Sequence, residues 1–241
     1  MTAIDLSAVS KAYDGNQVLI GVDLVVKEDE ILAIVGPSGV GKTTMLRLAS
    51  GLERPDSGTV AILGTPLTYD KGHDLAVKRH MAFILQKPVA FKETVSENVA
   101  YGLRVRGLED TKDQVAHALE AVGLAQMGDR MATRLSGGEM QRMAFARATV
   151  FEPSILLLDE FTANLDPQNV GVLERAVVTY QRERNATVVI VTHNLFQARR
   201  ISTRTALLLG GRLVETGPTD RIFEEPDDER TRAFVSGEMV F

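Results

Sequence analysis

The segment around residues 31–44 constrains this chain more than any other part of the sequence. A continuous apolar run, Ile31 to Val35, precedes a glycine-rich turn, and a helical stretch runs from Lys42 to Ser50. The turn matches G-x-x-x-x-G-K-[ST] at every fixed position and consists of Gly36, Pro37, Ser38, Gly39, Val40, Gly41, Lys42 and Thr43, followed by Thr44. A buried strand that feeds a helix in this way is typical of a parallel sheet covered by helices. The segment therefore predicts an α/β fold.

The same turn predicts a phosphate-binding loop. Its glycines let backbone N–H groups point inward at anionic oxygens, and the helix that follows adds its partial positive charge. Lys42 is placed to reach the β- and γ-phosphates of a nucleotide, and the Thr43 hydroxyl is placed to ligate Mg²⁺. An empty glycine-rich turn is the alternative, and the flanking strand and helix argue against it. Kinases, GTPases and motors share such loops, so the loop alone indicates only nucleotide binding.

A second apolar strand supplies the carboxylates that such a site needs. The run Ile155 to Leu158 ends in Asp159 and Glu160. Asp159 would lie beside the magnesium shell, and Glu160 would face the water that attacks the γ-phosphate. A single Asp-Glu pair after a strand is usually only solvated, so the functional interpretation depends on the loop at Gly36.

The remaining patterns predict how the chain is organised. Predicted features are an antiparallel pair over residues 4–24 with a turn at 14–16, strands at 81–85 and 188–191, a helix at 167–184 capped by Asp166, and a hairpin over 205–215. Residues 87–150 read as mainly helical. The predicted fold is a P-loop NTPase core, a mixed sheet flanked by helices, with an antiparallel β subdomain and an inserted helical subdomain.

Composition narrows the classes of protein. The 241 residues include no cysteine, which excludes disulfides and thiolate metal sites, and the formal charge of −5 disfavours nucleic acid as a partner. Apolar runs reach only about five residues, where a membrane-spanning helix needs about 20. Because the N-terminus has no signal-peptide pattern, the cytoplasm is the expected compartment.

One further motif identifies a family. The stretch Leu135-Ser136-Gly137-Gly138-Glu139-Met140-Gln141-Arg142 begins a helical run, and its serine lies 23 residues before Asp159. Here the chain resembles the ATP-binding subunits of ABC transporters, whose signature is LSGGQ followed by a basic residue; Glu139 departs from that signature. Ser136 followed by two glycines is also the expected start of an anion-binding helix.

The resemblance extends over nearly the whole chain and implies further site residues. Tyr13 matches the aromatic that stacks on adenine, although a tyrosine before a turn can also belong to the core. Gln86 matches the glutamine that contacts Mg²⁺ and the attacking water, and His193 matches the histidine that holds the γ-phosphate and Glu160. Leu165 and Asp166 match the loop that crosses to the other nucleotide site, although Asp166 could serve solely as the helix cap. The family usually has proline where this chain has Phe161, a change that places a large aromatic beside Glu160.

The resemblance also implies an assembly. It predicts a single ABC ATPase domain over residues 1–241 with a helical signature subdomain at about 87–150. Two copies would sandwich ATP in a homodimer, in which Ser136, Gly137, Gly138 and Glu139 close over the nucleotide of the opposite subunit. The ATPase would drive separate transmembrane permease subunits, contacted by the surface around Gln86 to Val99, and serve a periplasmic binding protein indirectly. The implied location is peripheral, on the cytoplasmic face of the membrane.

The transported substrate rests on three local resemblances. Residues 84–91, 191–200 and 234–241 are similar to the ATPases of tungstate importers and their phosphate-importer relatives, which predicts oxyanion import with tungstate first. Phosphate, molybdate or an amino acid, and a non-transport ABC ATPase that regulates a membrane complex, stay open as alternatives. A repair ATPase with a coiled-coil insertion is disfavoured because only 94 residues separate Lys42 from Ser136. A small-molecule kinase has no use for the motif at Leu135.

Overall fold

A computed structural model describes residues 1–70, 72–109 and 111–239. Val240 and Phe241, which end the stretch 234–241 that resembles tungstate and phosphate importers, lie outside the described residues. Within those ranges the strands are β1 (Thr2–Tyr13), β2 (Asn16–Lys27), β3 (Ile31–Val35), β4 (Ser57–Ile62), β5 (Thr65–Pro66), β6 (Met81–Ile84), β7 (Ile155–Asp159), β8 (Thr187–Thr192), β9 (Arg204–Leu209) and β10 (Arg212–Pro218). The helices are α1 (Lys42–Ala49), α2 (Leu75–Lys78), α3 (Val95–Arg104), α4 (Lys112–Ala121), α5 (Gly137–Thr149), α6 (Pro167–Arg184), α7 (Leu195–Ile201), α8 (Thr219–Glu224) and α9 (Glu229–Val235).

A six-stranded mixed sheet forms the centre of the molecule, in the order β10-β9-β3-β8-β7-β6. Its strands run parallel from β9 through β6, and only β10 is antiparallel. Every residue of β3, β7 and β8 is buried, as expected for strands covered on both faces. The predicted α/β architecture is therefore confirmed, and the carboxyl ends of five parallel strands meet along one edge.

The two faces of this sheet belong to different cores. In β8, Val188 and Ile190 pack into a core with α3 to α6, whereas Val189 and Val191 pack into a second core with α1 and the N-terminal strands. This alternation follows from the period of two in a strand. Strand β8 therefore packs against both layers, and its carboxyl end lies at the edge where the other parallel strands also end.

The N-terminal strands form a separate antiparallel sheet in the order β2-β1-β4-β5. The predicted pairing of β1 with β2 is confirmed, and the turn between them has Asp14 at φ +50° and Gly15 at φ +82°, the backbone that a type I′ hairpin requires. The C-terminal hairpin is also confirmed, but β10 runs to Pro218 rather than ending at Glu215.

Residues 87–150 contain α3, α4, α5 and two 3₁₀ turns, Ala125–Met127 and Ala132–Arg134. Helices α3 and α5 each begin with a capping box, at Thr94 with Glu97 and at Ser136 with Glu139, which supplies partners for two otherwise unpaired N–H groups. Helix α6 has the predicted bounds and the predicted cap at Asp166. Among the described residues, no helix is long and apolar enough to cross a membrane.

Candidate functional site

The loop between β3 and α1 has a backbone that only glycine can supply at two positions. A Cβ on Gly36 would overlap the carbonyl oxygen of Leu208. Gly41 has φ +107°, and a Cβ there would lie 2.9 Å from Val18 Cγ1. Since left-handed backbone and close approach both exclude larger residues, the glycines at these positions are needed for the loop to form. Helix α1 begins immediately afterwards.

Lys42 lies inside this loop rather than in solvent. Only 4% of the residue is exposed, and its Nζ donates to the carbonyl oxygens of Gly36 (2.9 Å) and Pro37 (2.7 Å). Burial lowers the pKa of Lys42, and the carboxylates of Glu160 and Asp159 act in the opposite direction. A desolvated ammonium with these neighbours is suited to hold an anion.

Thr43 and Asp159 join the loop to the end of β7. The Thr43 hydroxyl donates to Asp159 Oδ1 at 2.9 Å. Asp159 is 4% exposed, and burial raises the pKa of its carboxyl while the Thr43 hydrogen bond lowers it. Although the described residues hold no cluster of three or more potential carboxylate, histidine or cysteine ligands, Mg²⁺ in nucleotide sites is usually held by one or two protein oxygens and by phosphates. The pair fits that ion.

Three side chains converge at the carboxyl ends of β6, β7 and β8. Gln86 follows β6, Glu160 follows β7 and His193 follows β8. Gln86 Nε2 donates to Glu160 Oε2 at 3.2 Å, and His193 Nδ1 lies 3.2 Å from the same oxygen. Because β6, β7 and β8 are adjacent and parallel, their carboxyl ends lie side by side. Ligands of open α/β sheets bind at this edge. Glu160 is thus held from both sides at the edge that carries the loop.

Tyr13 lies at the end of β1, and 39% of it is exposed. Its hydroxyl donates to Glu53 Oε1 at 2.5 Å, and Lys11 Nζ lies 3.5 Å from the same carboxylate oxygen. Burial and then the Glu53 hydrogen bond raise the pKa of Tyr13, while a hydrogen bond with the side chain of Thr44 lowers it. Thr44 connects the Tyr13 ring to the start of α1. A base could stack on the exposed face of this ring.

The signature residues lie elsewhere, at the start of α5. Ser136 N–H donates to Glu139 Oε2 at 2.7 Å, and Glu139 N–H donates to Ser136 Oγ at 3.4 Å. The Ser136 N–H holds the pKa of Glu139 below its usual value. Ser136 and Gly137 are exposed, whereas Gly138 is buried. None of the side-chain hydrogen bonds or ion pairs of the described residues joins Ser136 or Glu139 to the loop at Gly36.

Asp166 caps the neighbouring helix. Its carboxylate accepts from the backbone N–H of Asn169 at 3.0 Å and from Asn169 Nδ2 at 2.5 Å, and the backbone bond lowers the pKa of Asp166. A Cβ on Gly138 would overlap the Asn169 side chain. The starts of α5 and α6 therefore pack against each other, which brings the signature and Asp166 onto one exposed region.

Sequence reasoning missed two residues, Glu53 and Gln197, that the structure places around these groups. Glu53 binds the Tyr13 hydroxyl, and Gln197 contacts Thr162 in the turn after Glu160. No motif surrounds Glu53, and the stretch 191–200 that contains Gln197 assigns that residue no role; their partners lie 40 and 35 residues away. Phe161, which replaces the family's proline, is 1% exposed and packs in the core between the sheet and α3 to α6.

Comparison with known proteins gives consistent matches. A model of the ABC transporter family matches residues 19–163. The phosphate import ATP-binding protein PstB 2 of Natronomonas pharaonis is 44% identical over 98% of this chain and 87% of its own length. A probable anion import ATP-binding protein of Haloferax volcanii is 43% identical over 100% of this chain and 88% of its own.

Solved structures match over most of the chain as well. The cbiO1 protein of Clostridium perfringens, described as part of the ABC transporter complex cbiONQ, has a TM-score of 0.86 and 27% identity, covering 99% of both chains. The ATP-binding cassette MJ0796, solved as a dimer in a post-hydrolysis state bound to ADP and Pi, has a TM-score of 0.83 and 29% identity over 90% of this chain and 98% of its own.

Proposed function

Because the chain belongs to the ABC transporter family, as an ATPase of that family, we propose that it energises the import of phosphate or a closely related inorganic anion. The observation that carries this proposal is the similarity, over nearly the whole chain, to two proteins named for phosphate import and for anion import at 44% and 43% identity. The geometry at the edge of the central sheet supports the ATPase half of the proposal independently.

ATP would bind across the loop and the end of β1. The backbone N–H groups of residues 36–44 and the Lys42 ammonium are suited to the phosphates, and the exposed face of Tyr13 is suited to adenine. Thr43, Asp159 and Gln86 would hold Mg²⁺, which neutralises phosphate charge when bound. The 2.9 Å contact between Thr43 and Asp159 supports this assignment, because it places two hard oxygen donors together.

Glu160 is the proposed general base for hydrolysis. It would accept a proton from a water whose oxygen bonds to the γ-phosphorus, while the bond from that phosphorus to ADP breaks and phosphate is released. His193 and Gln86 contact the same carboxylate oxygen, each at 3.2 Å, and so fix the direction in which it accepts. Such positioning provides most of the catalysis in phosphoryl transfer.

A homodimer would complete each ATP site. The starts of α5 and α6 carry Ser136, Gly137, Gly138, Glu139 and Asp166, of which Ser136, Gly137 and Asp166 are exposed. None of the described side-chain hydrogen bonds or ion pairs joins these residues to the loop of their own chain. A helix start with free N–H groups favours an anion, so the γ-phosphate held by one copy could bind the α5 start of another. ATP would then stabilise the closed dimer, and hydrolysis would remove the shared contact.

A membrane permease is the proposed partner, and the apolar groove beside Gln86 is its proposed contact. The groove has a volume of about 490 Å³ and lies between β6 and α3. Its rim exposes Leu85, Val89, Phe91 and Tyr101, which are 41–72% exposed; clustered apolar exposure of this kind marks interaction surfaces. The chain would then act peripherally, on the cytoplasmic face of the membrane. Residues 87–150 would form a helical signature subdomain. A periplasmic binding protein would be an indirect partner.

The proposed anion would pass through the permease, so its assignment rests on the full-length relatives rather than on the residues of the ATP site. The expectation of tungstate rested on three short stretches, whereas the relatives over the full chain are named for phosphate and for anions. Phosphate is therefore the proposed substrate, and tungstate and molybdate are the competing oxyanions.

Uptake by cells that lack this chain tests the proposal. Cells are complemented with the wild-type chain, with Glu160→Gln or with an empty vector, and uptake of radiolabelled phosphate, tungstate and molybdate is measured separately. We expect phosphate uptake to need the wild-type chain. Loss of tungstate or molybdate uptake alone would overturn the assignment of phosphate but keep an importer. If no anion uptake depends on the chain, the importer role is wrong and a non-transport ABC ATPase is favoured.

A further inference from the structure

Gln197 is a fully buried amide on α7, the helix that begins two residues after His193. Its Nε2 donates to Thr162 Oγ1 at 2.7 Å and to Glu174 Oε1 at 3.2 Å. Its own Oε1 is buried and has no partner among the described residues. Because a buried unpaired acceptor is unfavourable, an apolar side chain would suit this position better if packing were its only role.

An ion pair determines which way this amide points. Arg200 binds both oxygens of Glu174, at 2.6 Å and 3.0 Å, and Glu174 is 8% exposed. A carboxylate paired in this way only accepts hydrogen bonds, so the Gln197 group facing it must be the NH₂. The same NH₂ then donates to Thr162. A glutamate at 197 would instead place a second carboxylate against Glu174.

Thr162 belongs to the turn that presents Glu160. The N–H of Ala163 donates to the carbonyl oxygen of Glu160 at 2.9 Å and closes this turn. Glu160 itself has φ +42°, a left-handed backbone that is unfavourable for glutamate and persists only when its surroundings hold it. The hydrogen bond from Gln197 to Thr162 is a side-chain contact that holds the turn from α7.

We propose that Gln197 is a positioning residue that joins α7, and so His193, to the turn that carries Glu160. The connection runs from Gln197 through Thr162, and the Glu174–Arg200 pair keeps the amide in its donating orientation. Its effect is to keep Glu160 Oε2 and His193 Nδ1 at a fixed separation, 3.2 Å in this structure. The proposal rests on the proposed roles of Glu160 and His193 in hydrolysis.

The test removes the connection at either end in the full-length chain. Gln197→Met keeps the shape of the side chain without its donor, and Thr162→Val removes the acceptor, whereas Thr162→Ser keeps it. We expect kcat for ATP hydrolysis to fall by about 10–100-fold in the first two variants, with KM within about twofold, because a misplaced catalytic group affects the transition state. Thr162→Ser should retain the wild-type kcat. The double variant should be no slower than the slower single variant, since both changes break one connection.

Gln181→Met is the matched control. Gln181 also donates one hydrogen bond, to the carbonyl oxygen of Asp29 at 2.9 Å, but it lies near the far end of α6. Its substitution should leave kcat unchanged. If Gln197→Met and Gln181→Met lower melting temperature alike and neither changes kcat, Gln197 is only structural and the proposal is wrong. If Gln197→Met does not fold, Thr162→Val and Thr162→Ser decide the question.

A second readout separates this proposal from the proposed function. Amide hydrogen exchange of Ala163 reports the turn after Glu160 and needs no activity. We expect exchange to become about 10-fold faster in Gln197→Met and in Thr162→Val, and to stay unchanged in Gln181→Met. A wild-type chain without ATPase activity would contradict the proposed function, and exchange would still decide the role of Gln197. Unchanged exchange in both variants would overturn the positioning role.

Discussion

Glu160 follows the buried strand β7 and is held there by both backbone hydrogen bonds and side-chain contacts. Its φ of +42° is unfavourable, but its N–H donates to the carbonyl oxygen of Val191 at 2.9 Å and its carbonyl accepts from Ala163. Its carboxylate contacts Gln86 and His193. Non-glycine residues keep such a backbone where several contacts determine it, and such residues are concentrated at functional sites.

Phe161 occupies the position at which the family usually has proline. Because its side chain is 1% exposed within the core next to α6, we expect Phe161→Ala to leave a cavity and lower the free energy of unfolding by about 3–5 kcal/mol. Urea denaturation followed by circular dichroism measures this change.

Phe196→Ala is the control for that measurement, because Phe196 is 78% exposed. Its substitution should change the free energy of unfolding by no more than about 0.5 kcal/mol. Equal effects of the two substitutions would contradict the view that Phe161 is a core residue and would point to a change in the unfolded state instead.

At the residue scale, the sequence predicts side chains that occur in motifs and omits those that support them. Lys42, Asp159 and Glu160 stand out because each adjoins a glycine-rich turn or a buried strand. Glu53 and Gln197 do not, since the contacts that define their roles are with residues at least 35 positions away. Such contacts exist only after the sheet has formed.

At the scale of elements, helix starts account for most of the candidate site. Helix α1 begins at the loop, α5 begins at the signature, and α6 begins at Asp166. Each start presents N–H groups without intrahelical partners, which favour negative charge. Helices α3 and α5 have the same capping box, so their starts can be compared directly.

Substitution of the two caps tests the role of the α5 start. Ser136→Arg and Thr94→Arg each remove a capping box and should destabilise the chain by a similar amount, about 1 kcal/mol. Only Ser136→Arg should prevent ATP-dependent dimerisation, because its side chain projects from the exposed α5 start; ATP binding should stay unchanged. Fluorescent nucleotide titration and sedimentation measure the two properties. Equal dimerisation of both variants would exclude the α5 start from the interface.

The sequence predicts those elements whose pattern is local. The buried strands at 155–158 and 188–191 have uninterrupted apolar runs, and α6 has both a cap and an apolar face. The sequence does not predict β4 and β5. Only Val60 and Ile62 are buried there, and β4 forms a strand by pairing with β1, about 50 residues away. Helix α2 has only four residues, too few to show a helical period.

For the whole molecule, composition limits the protein class without identifying its function. The formal charge of −5 argues against a broad nucleic-acid surface, yet the loop offers a nucleotide its backbone N–H groups and Lys42. The two cores on opposite faces of the sheet fix the strand ends relative to each other. Among the described residues, no side-chain hydrogen bond or ion pair joins Ser136, Glu139 or Asp166 to the loop of their own chain, and the proposed ATP site would be completed by a second copy.

The mass of Glu160→Gln in solution tests this account most directly. Without its general base the variant should hydrolyse ATP about 10²–10⁴-fold more slowly, so bound ATP persists and the closed dimer accumulates. Light scattering should then give twice the chain mass of 26.3 kDa with ATP and Mg²⁺, and the single-chain mass with ADP. A variant that binds ATP and remains at 26.3 kDa would contradict the shared ATP site.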